Sequence, residues 1–190
     1  MKKISYQGEL GAYSHLACNE AMADYESVPC RTFEAALNCV REEEADLAMI
    51  PVENSVAGRV ADIHYLLGDY DLKIYAEHFQ EVKHQLLAKK GTSIDEIKFV
   101  RSHSMAIGQC QTAIQRLDLK PIVMADTAGS AKYISETGTN EDSAIASHLA
   151  AEIYGLEILE SDIQDMKHNT TRFLVMSKGT QQKRDAKKSY

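Results

Sequence analysis

Asp46-Leu-Ala-Met-Ile-Pro-Val52 is a mostly apolar run that stops at Glu53-Asn54-Ser55, and beyond it Val56, Val60, Ile63 and Leu67 recur at helical spacing. A short apolar run closed by polar residues reads as a buried strand, and the change of period after it reads as a helix. The same switch recurs downstream. Phe99-Val100-Arg101 enters Ser102-His103-Ser104, after which Ile107, Cys110, Ile114 and Leu117 fall on one helical face. Ile122-Val123-Met124-Ala125 enters Asp126-Thr127-Ala128-Gly129 and a helix to about Ser135, while Ala144-Ile145-Ala146 meets Ser147 and a helix that stops at Gly155. Glycine suits the left-handed position that ends a helix. Upstream, Thr32 is placed to cap a helix whose Phe33, Ala36, Leu37 and Val40 face a core. Leu72 to Ala88 reads as extended. Strands alternating with helices make this an α/β chain.

The composition sets the outer bounds. A chain of 190 residues is one domain or two small ones. Its 44% hydrophobic and 26% charged residues are ordinary for a globular protein, and 10 Gly with 3 Pro are too few for a low-complexity chain. No apolar run approaches the roughly 18 residues of a membrane helix, and Met1-Lys2-Lys3 leads into polar sequence without a signal-peptide core. No membrane partner is expected, and a cytoplasmic location is. The net charge of −7 argues against nucleic acid as a partner. The segment from Lys178 to Tyr190, with five basic residues and one acidic, is expected to be a solvated basic tail. Cys18, Cys30, Cys39 and Cys110 form no CxxC, and the seven histidines form no HExxH, so neither a metal nor a redox dithiol is signalled. Cys39 lies on the apolar face of its helical pattern and is expected to be a buried, reduced thiol.

Hydroxyl and amide side chains gather at the strand-to-helix junctions: Glu53-Asn54-Ser55, Ser102 with Ser104, and Thr127 before Gly129. Such residues cap helices anyway, so one junction alone carries little. Several together, at the carboxyl ends of strands, sit where open α/β sheets bind ligands and where helix N-termini attract anions. A small anionic ligand is therefore expected, held by hydroxyls, amides and helix starts.

Two segments now carry a resemblance. Pro51-Val52-Glu53-Asn54-Ser55-Val56-Ala57-Gly58-Arg59-Val60 resembles the ENS segment of prephenate dehydratases, and Asn169-Thr170-Thr171-Arg172-Phe173-Leu174-Val175 is similar to the family's TRF signature. Further matches lie in order around them: Tyr6-Gln7-Gly8 with Gly11-Ala12-Tyr13-Ser14, Ser102-His103 with Gln109-Cys110, Asp126-Thr127-Ala128-Gly129-Ser130-Ala131, and Ala146-Ser147 through Ala150-Ala151-Glu152 to Tyr154-Gly155-Leu156. Six colinear segments from about residue 4 to 176 are far more specific than either signature alone.

The resemblance implies a two-lobed fold like a periplasmic binding protein, each lobe a mostly parallel sheet flanked by helices, with substrate in the cleft between. A catalytic domain of residues 1–177 is expected, lobe one from about 1–76 plus 164–177 and lobe two from about 77–163. It also implies a reaction needing no cofactor: prephenate loses CO2 and its ring hydroxyl to give phenylpyruvate, in phenylalanine biosynthesis. By the same resemblance Thr171 is the candidate acid for the departing oxygen. Asn54, Gln109, Ser102 and Glu53 complete the expected catalytic set. Substrate contacts are expected from Ser55, Thr127, Ala128, Arg172, Thr170 and Gly58. A guanidinium grips a carboxylate bidentately, which suits Arg172, although a structural ion pair is the alternative. Thr170 and Thr171 are adjacent strand residues, so only one of them is expected to face the cleft. Gly58 and Gly129 are expected to permit close backbone approach. His84 and His103 receive no catalytic role.

Three readings stay open: a prephenate dehydratase, an arogenate dehydratase with the same chemistry, and a non-catalytic binder of small anions. A homodimer or higher homo-oligomer is expected by resemblance. Ser104, Met105 and Leu10 depart from the family's usual residues beside the site. The family commonly continues into an ACT domain that senses phenylalanine, and none is expected in a chain of this length.

Overall fold

The computed structural model describes residues 1–179. The expected basic tail falls outside the described residues from 180 onward, while Lys178 pairs with Glu43 at 2.6 Å. The chain runs β1 (Lys3–Gln7), α1 (Tyr13–Ala21), β2 (Glu26–Cys30), α2 (Phe33–Arg41), β3 (Leu47–Asn54), β4 (Gly58–Arg59), α3 (Ala61–Asp69) and β5 (Lys73–Glu81). It continues through β6 (Gln85–Ala88), β7 (Phe99–Ser102), α4 (Ser104–Gly108), α5 (Gln111–Arg116), β8 (Lys120–Val123), α6 (Thr127–Thr137), β9 (Asp142–Ala146), α7 (His148–Tyr154), β10 (Glu157–Glu160) and β11 (Thr170–Ser177).

Two sheets result. The first has the order β2-β1-β3-β11-β5, with β4 hydrogen-bonded to β3, and the second the order β10-β6-β9-β7-β8. Each is mixed rather than mostly parallel. In the first, β1 is parallel to β2 and β3, but β11 is antiparallel to β3 and β5. In the second, β7 is parallel to β8 and β9, but β6 is antiparallel to β9 and β10. The antiparallel members are the strands where the chain passes between lobes, since a strand that returns from the other lobe enters its sheet from the opposite end.

Both sheets bury their two faces, which explains near-continuous apolar strands such as Leu47–Ile50. Ala36, Leu37 and Val40 of α2 pack with Ile63 on one face of the first sheet, and Ala17 and Cys18 of α1 pack with Tyr6 and Phe173 on the other. The second sheet carries α4 and α5 on one face and α6 and α7 on the other. The helix starts are legible chemistry: Thr32 accepts from the Ala35 N–H, Ser147 accepts from the Ala150 N–H, and Gly155 ends α7 at φ +64°. All four cysteines are free thiols. Among the described residues no helix is long and apolar enough to cross a membrane.

Three expectations need correction. Residues 55–60 do not begin a helix; they close a hairpin into β4, and α3 starts only at Ala61. The helix expected after Ser104 is two, α4 and α5, with Gln109 and Cys110 at the break. The first passage between lobes falls at Val82–His84, later than the boundary near 77, because β11 keeps β5 paired as far as Glu81. The return passage runs through residues 164–169, ahead of β11.

Candidate active site

The site begins with an amide whose orientation the backbone decides. Asn54 ends β3, and its Oδ1 accepts from the N–H groups of Val56 at 3.0 Å and Ala57 at 2.8 Å. A side-chain carbonyl capping its own turn is a common use of Asn. Gly58 closes the hairpin at φ +83°, with no atom within 4 Å of where a Cβ would stand. Its role is turn geometry rather than close approach. With Oδ1 engaged, Asn54 presents Nδ2 to the other side. There it donates to Thr171 Oγ1 at 2.9 Å and to Asn169 Oδ1 at 2.7 Å. The β3–β11 register sets Thr171 directly across from Asn54. The Thr171 oxygen is thus an acceptor, and among the described residues no protein group takes its proton.

From Asn169 the contacts pass into the second lobe. Asn169 is buried, and its Nδ2 donates to Gln109 Oε1 at 2.9 Å. Gln109 stands at the break between α4 and α5, and the return passage holds that break in place. Asp165 N–H donates to the Gln109 carbonyl at 2.7 Å, while the Asp165 carboxylate accepts from the N–H groups of Gln111 and Thr112, each at 3.0 Å. His84, only 2% exposed, approaches the same Gln109 Oε1 with Nε2 at 2.8 Å. Burial lowers the His84 pKa, against a raising effect from the Gln109 hydrogen bond. The Tyr13 hydroxyl lies 2.8 Å from His84 Nδ1 and 2.9 Å from the Lys83 carbonyl, and burial pushes its pKa well up.

The other expected residues divide. Ser55 and Thr170 exchange bonds: Ser55 N–H donates to the Thr170 carbonyl at 2.9 Å, and Thr170 N–H donates to Ser55 Oγ at 3.0 Å. They fasten the hairpin to the start of β11. Thr127 opens α6, but the cap is Asp126, which accepts from the Gly129 N–H. Ala128 is fully buried. Gly129 does fit a close approach, since a Cβ there would meet the Asp126 carboxylate at 2.8 Å.

Among the described residues Ser102, Glu53 and Arg172 make no hydrogen bond to the Thr171 cluster. Ser102 is fully buried and donates its proton to the Ile145 carbonyl at 2.6 Å, tying β7 to β9. Glu53 and Arg172 face each other across β3 and β11, one position from Asn54 and Thr171, so strand alternation turns them to the opposite face. There Arg172 grips Glu77 at 2.9 and 3.2 Å. Glu77 and then Glu53 hold its guanidinium charged. Glu53, Arg59, Arg172 and Val52 line a separate cavity of about 260 Å³. Sequence reading missed Asn169, His84 and Tyr13. Asn169 and Tyr13 stood inside quoted matched segments, so each carried a usable signal; His84 lay outside all of them and was given no role. Among the described residues no group of three or more His, Cys, Asp or Glu is placed to hold a metal ion.

Two α/β lobes, joined by two strand passages and sharing a cluster of amides and a hydroxyl where they meet, define an enzyme-like two-lobed α/β protein. The sequence profile of the prephenate dehydratase family matches residues 4–181. The chain belongs to that family. A relative from Komagataeibacter europaeus, named a bifunctional N-acyl-homoserine lactone acylase/prephenate dehydratase, is 46% identical over 175 residues, covering 92% of this chain and 62% of the relative. An arogenate dehydratase/prephenate dehydratase 2 from Arabidopsis thaliana, described as chloroplastic, is 40% identical over 176 residues, covering 93% of this chain and 46% of its own length. The chain therefore spans about half to two thirds of these relatives. The crystal structure of a prephenate dehydratase from Arthrobacter aurescens in complex with L-Phe superposes with a TM-score of 0.87 at 29% identity, over 94% of this chain and 61% of that one.

Proposed function

We propose that this chain converts prephenate to phenylpyruvate, CO2 and water, with Thr171 as the proton donor. The supporting observation is the Asn54 Nδ2–H bond to Thr171 Oγ1 at 2.9 Å. It occupies the oxygen from behind and leaves the hydroxyl proton for a ligand. In the reaction the bond from the ring to its carboxylate breaks and CO2 departs. That electron pair enters the ring and expels the hydroxyl opposite, which leaves as water with the Thr171 proton. Solvent then reprotonates Thr171. A threonine is a poor acid in water, so the alkoxide that develops needs a fixed donor, and Asn54 supplies one without rearrangement. Gln109 has an amide nitrogen free of protein partners among the described residues, and it supplies a second donor for the substrate. Aromatisation drives the reaction forward.

Arogenate, which differs from prephenate in an amino group for a keto group, is the second reading, favoured by relatives of 40% identity named for both activities. The acylase half of the Komagataeibacter relative's name is a weaker guide. A nucleophilic threonine needs a base, and Asn54 is an amide that takes no proton. The deciding experiment incubates the chain separately with prephenate and with arogenate and follows phenylpyruvate and phenylalanine. Turnover of prephenate is expected, and Thr171→Ala should lower kcat at least about a hundredfold while the protein still binds a substrate analogue. Full activity in that variant removes Thr171 from its role; binding without turnover in the unaltered chain favours the non-catalytic reading.

A further inference from the structure

The hydrogen-bond chain that ends on Thr171 has a fixed polarity, and it can be followed outward atom by atom. Two backbone N–H groups hold Asn54 Oδ1, so Asn54 Nδ2 is the donor toward Asn169. Asn169 Oδ1 accepts there, so Asn169 Nδ2 must donate to Gln109. The Gln109 atom it meets is therefore the carbonyl oxygen. His84 Nε2 reaches that same oxygen at 2.8 Å, and an oxygen cannot donate. His84 must carry its proton on Nε2.

The other ring nitrogen is served as well. In the neutral Nε2–H form His84 Nδ1 is an acceptor, and Tyr13 has one proton to give. The Lys83 carbonyl, which Tyr13 also approaches, has a second donor in Gln85 Nε2 at 3.1 Å, whereas among the described residues Tyr13 is the one donor within reach of His84 Nδ1. The Tyr13 proton therefore belongs with His84. Swapping the imidazole proton to Nδ1 would set two acceptors face to face at Gln109. Turning the Gln109 amide to relieve this would set two donors face to face at Asn169. Neither error is affordable in a site where His84 and Asn169 are both nearly inaccessible to water.

We propose that His84, backed by Tyr13, is a positioning residue for the dehydration: its Nε2–H pins the Gln109 carbonyl beside Asn169 and so turns the Gln109 amide nitrogen to the substrate. The kinetic part rests on the dehydratase reading; the tautomer part does not. The burial that keeps the imidazole neutral acts in the same direction.

Two measurements on the full chain test it. Long-range 1H–15N NMR of the uniformly labelled protein should show His84 as the neutral Nε2–H tautomer; an Nδ1–H imidazole overturns the assignment whatever the activity. In kinetics, His84→Gln, whose amide nitrogen can take the place of Nε2, should stay within about threefold of the unaltered kcat. His84→Leu should lose about ten- to a hundredfold in kcat with KM little changed, the size seen when an outer group orients a functional one. If His84→Leu fails to fold, Tyr13→Phe replaces it: the ring packing stays, kcat falls, and an Nδ1–H population appears in the spectrum. Equal kcat in His84→Leu and the unaltered chain, or an equal loss in His84→Gln and His84→Leu, overturns the positioning role. An unaltered chain inert on both prephenate and arogenate sinks the dehydratase reading instead, and the tautomer then decides the His84 assignment alone.

Discussion

At the scale of single residues, the site separates groups that touch chemistry from groups that fold the strand bearing them. Asn54 does both, and one substitution divides its duties. Asn54→Asp keeps an oxygen for the Val56 and Ala57 N–H groups but replaces the donor facing Thr171 with an acceptor that holds the threonine proton. We expect kcat to fall about 10²–10³-fold, as for loss of a preorganised donor, and the melting temperature to fall as well, because the new carboxylate also faces the buried Asn169 Oδ1 at the 2.7 Å contact. Arg172 is the opposite case. Its pair with Glu77 is between side chains 40% and 43% exposed, so a double-mutant cycle in urea should return a coupling of about 0.2–1 kcal/mol. Thr171, Asn54 and Gln109 were legible because each sits inside a matched segment. Ser102, Glu53 and Arg172 sit in such segments too, yet the Ser102 hydroxyl is taken by the Ile145 carbonyl and strand alternation sets Glu53 and Arg172 on the other face. A motif names a stretch; it takes the backbone to decide which side chains within it meet. His84 and Tyr13 escaped because their meaning lies in hydrogen bonds to residues far along the chain.

At the scale of elements, the caps were the most readable features because their chemistry is local. Thr32 and Gly155 were assigned from residue type and neighbours alone, and each holds its place. The turn at Asn54 was misread for the same reason: an Asn that caps a helix and an Asn that caps a hairpin turn look alike, and Val56, Val60, Ile63 and Leu67 mimic a helical stripe. Ser147 shows what a local reading leaves out. Besides capping α7, its hydroxyl donates at 2.6 Å to the carbonyl of Gly11, in the loop that follows β1. That loop lies so close to α7 that a Cβ on Gly11, already at φ +88°, would meet the Ala150 Cα at 2.7 Å. Tyr154 adds a bond to the Leu10 carbonyl at 2.9 Å, and Lys132 pairs with Glu9 at 3.3 Å. Ser147→Ala removes the cap and the contact between lobes together. We expect it to cost about 1–3 kcal/mol, read as a lowered urea midpoint.

For the molecule as a whole, the α/β class and its likeness to two-lobed binding proteins were accessible from alternating periods and resemblance. The sheets' mixed character was not, because pairing partners are far apart in sequence. Stability should also respond to pH through buried imidazoles. Burial lowers the pKa of both His84 and His15 below the ordinary 6.5. The unfolded chain therefore binds more protons than the folded one as pH falls below that value. Their contribution is complete above about pH 6.5 and is lost as pH falls through the lower folded-state values. Urea midpoints should thus drop from about pH 7.5 to about pH 5.5, and His84→Gln should shallow that slope. The placement of β11 has a consequence for how the chain is made. It is the last strand among the described residues, yet it lies between β3 and β5. During synthesis the lobe built from β6 to β10 can close while its neighbour still lacks an interior strand, leaving β3 and β5 with open edges across a gap. Open edges recruit strange strands. Until β11 has emerged, a nascent chain therefore holds one lobe with all its strands in hand and one that chaperones must shield until the missing strand arrives.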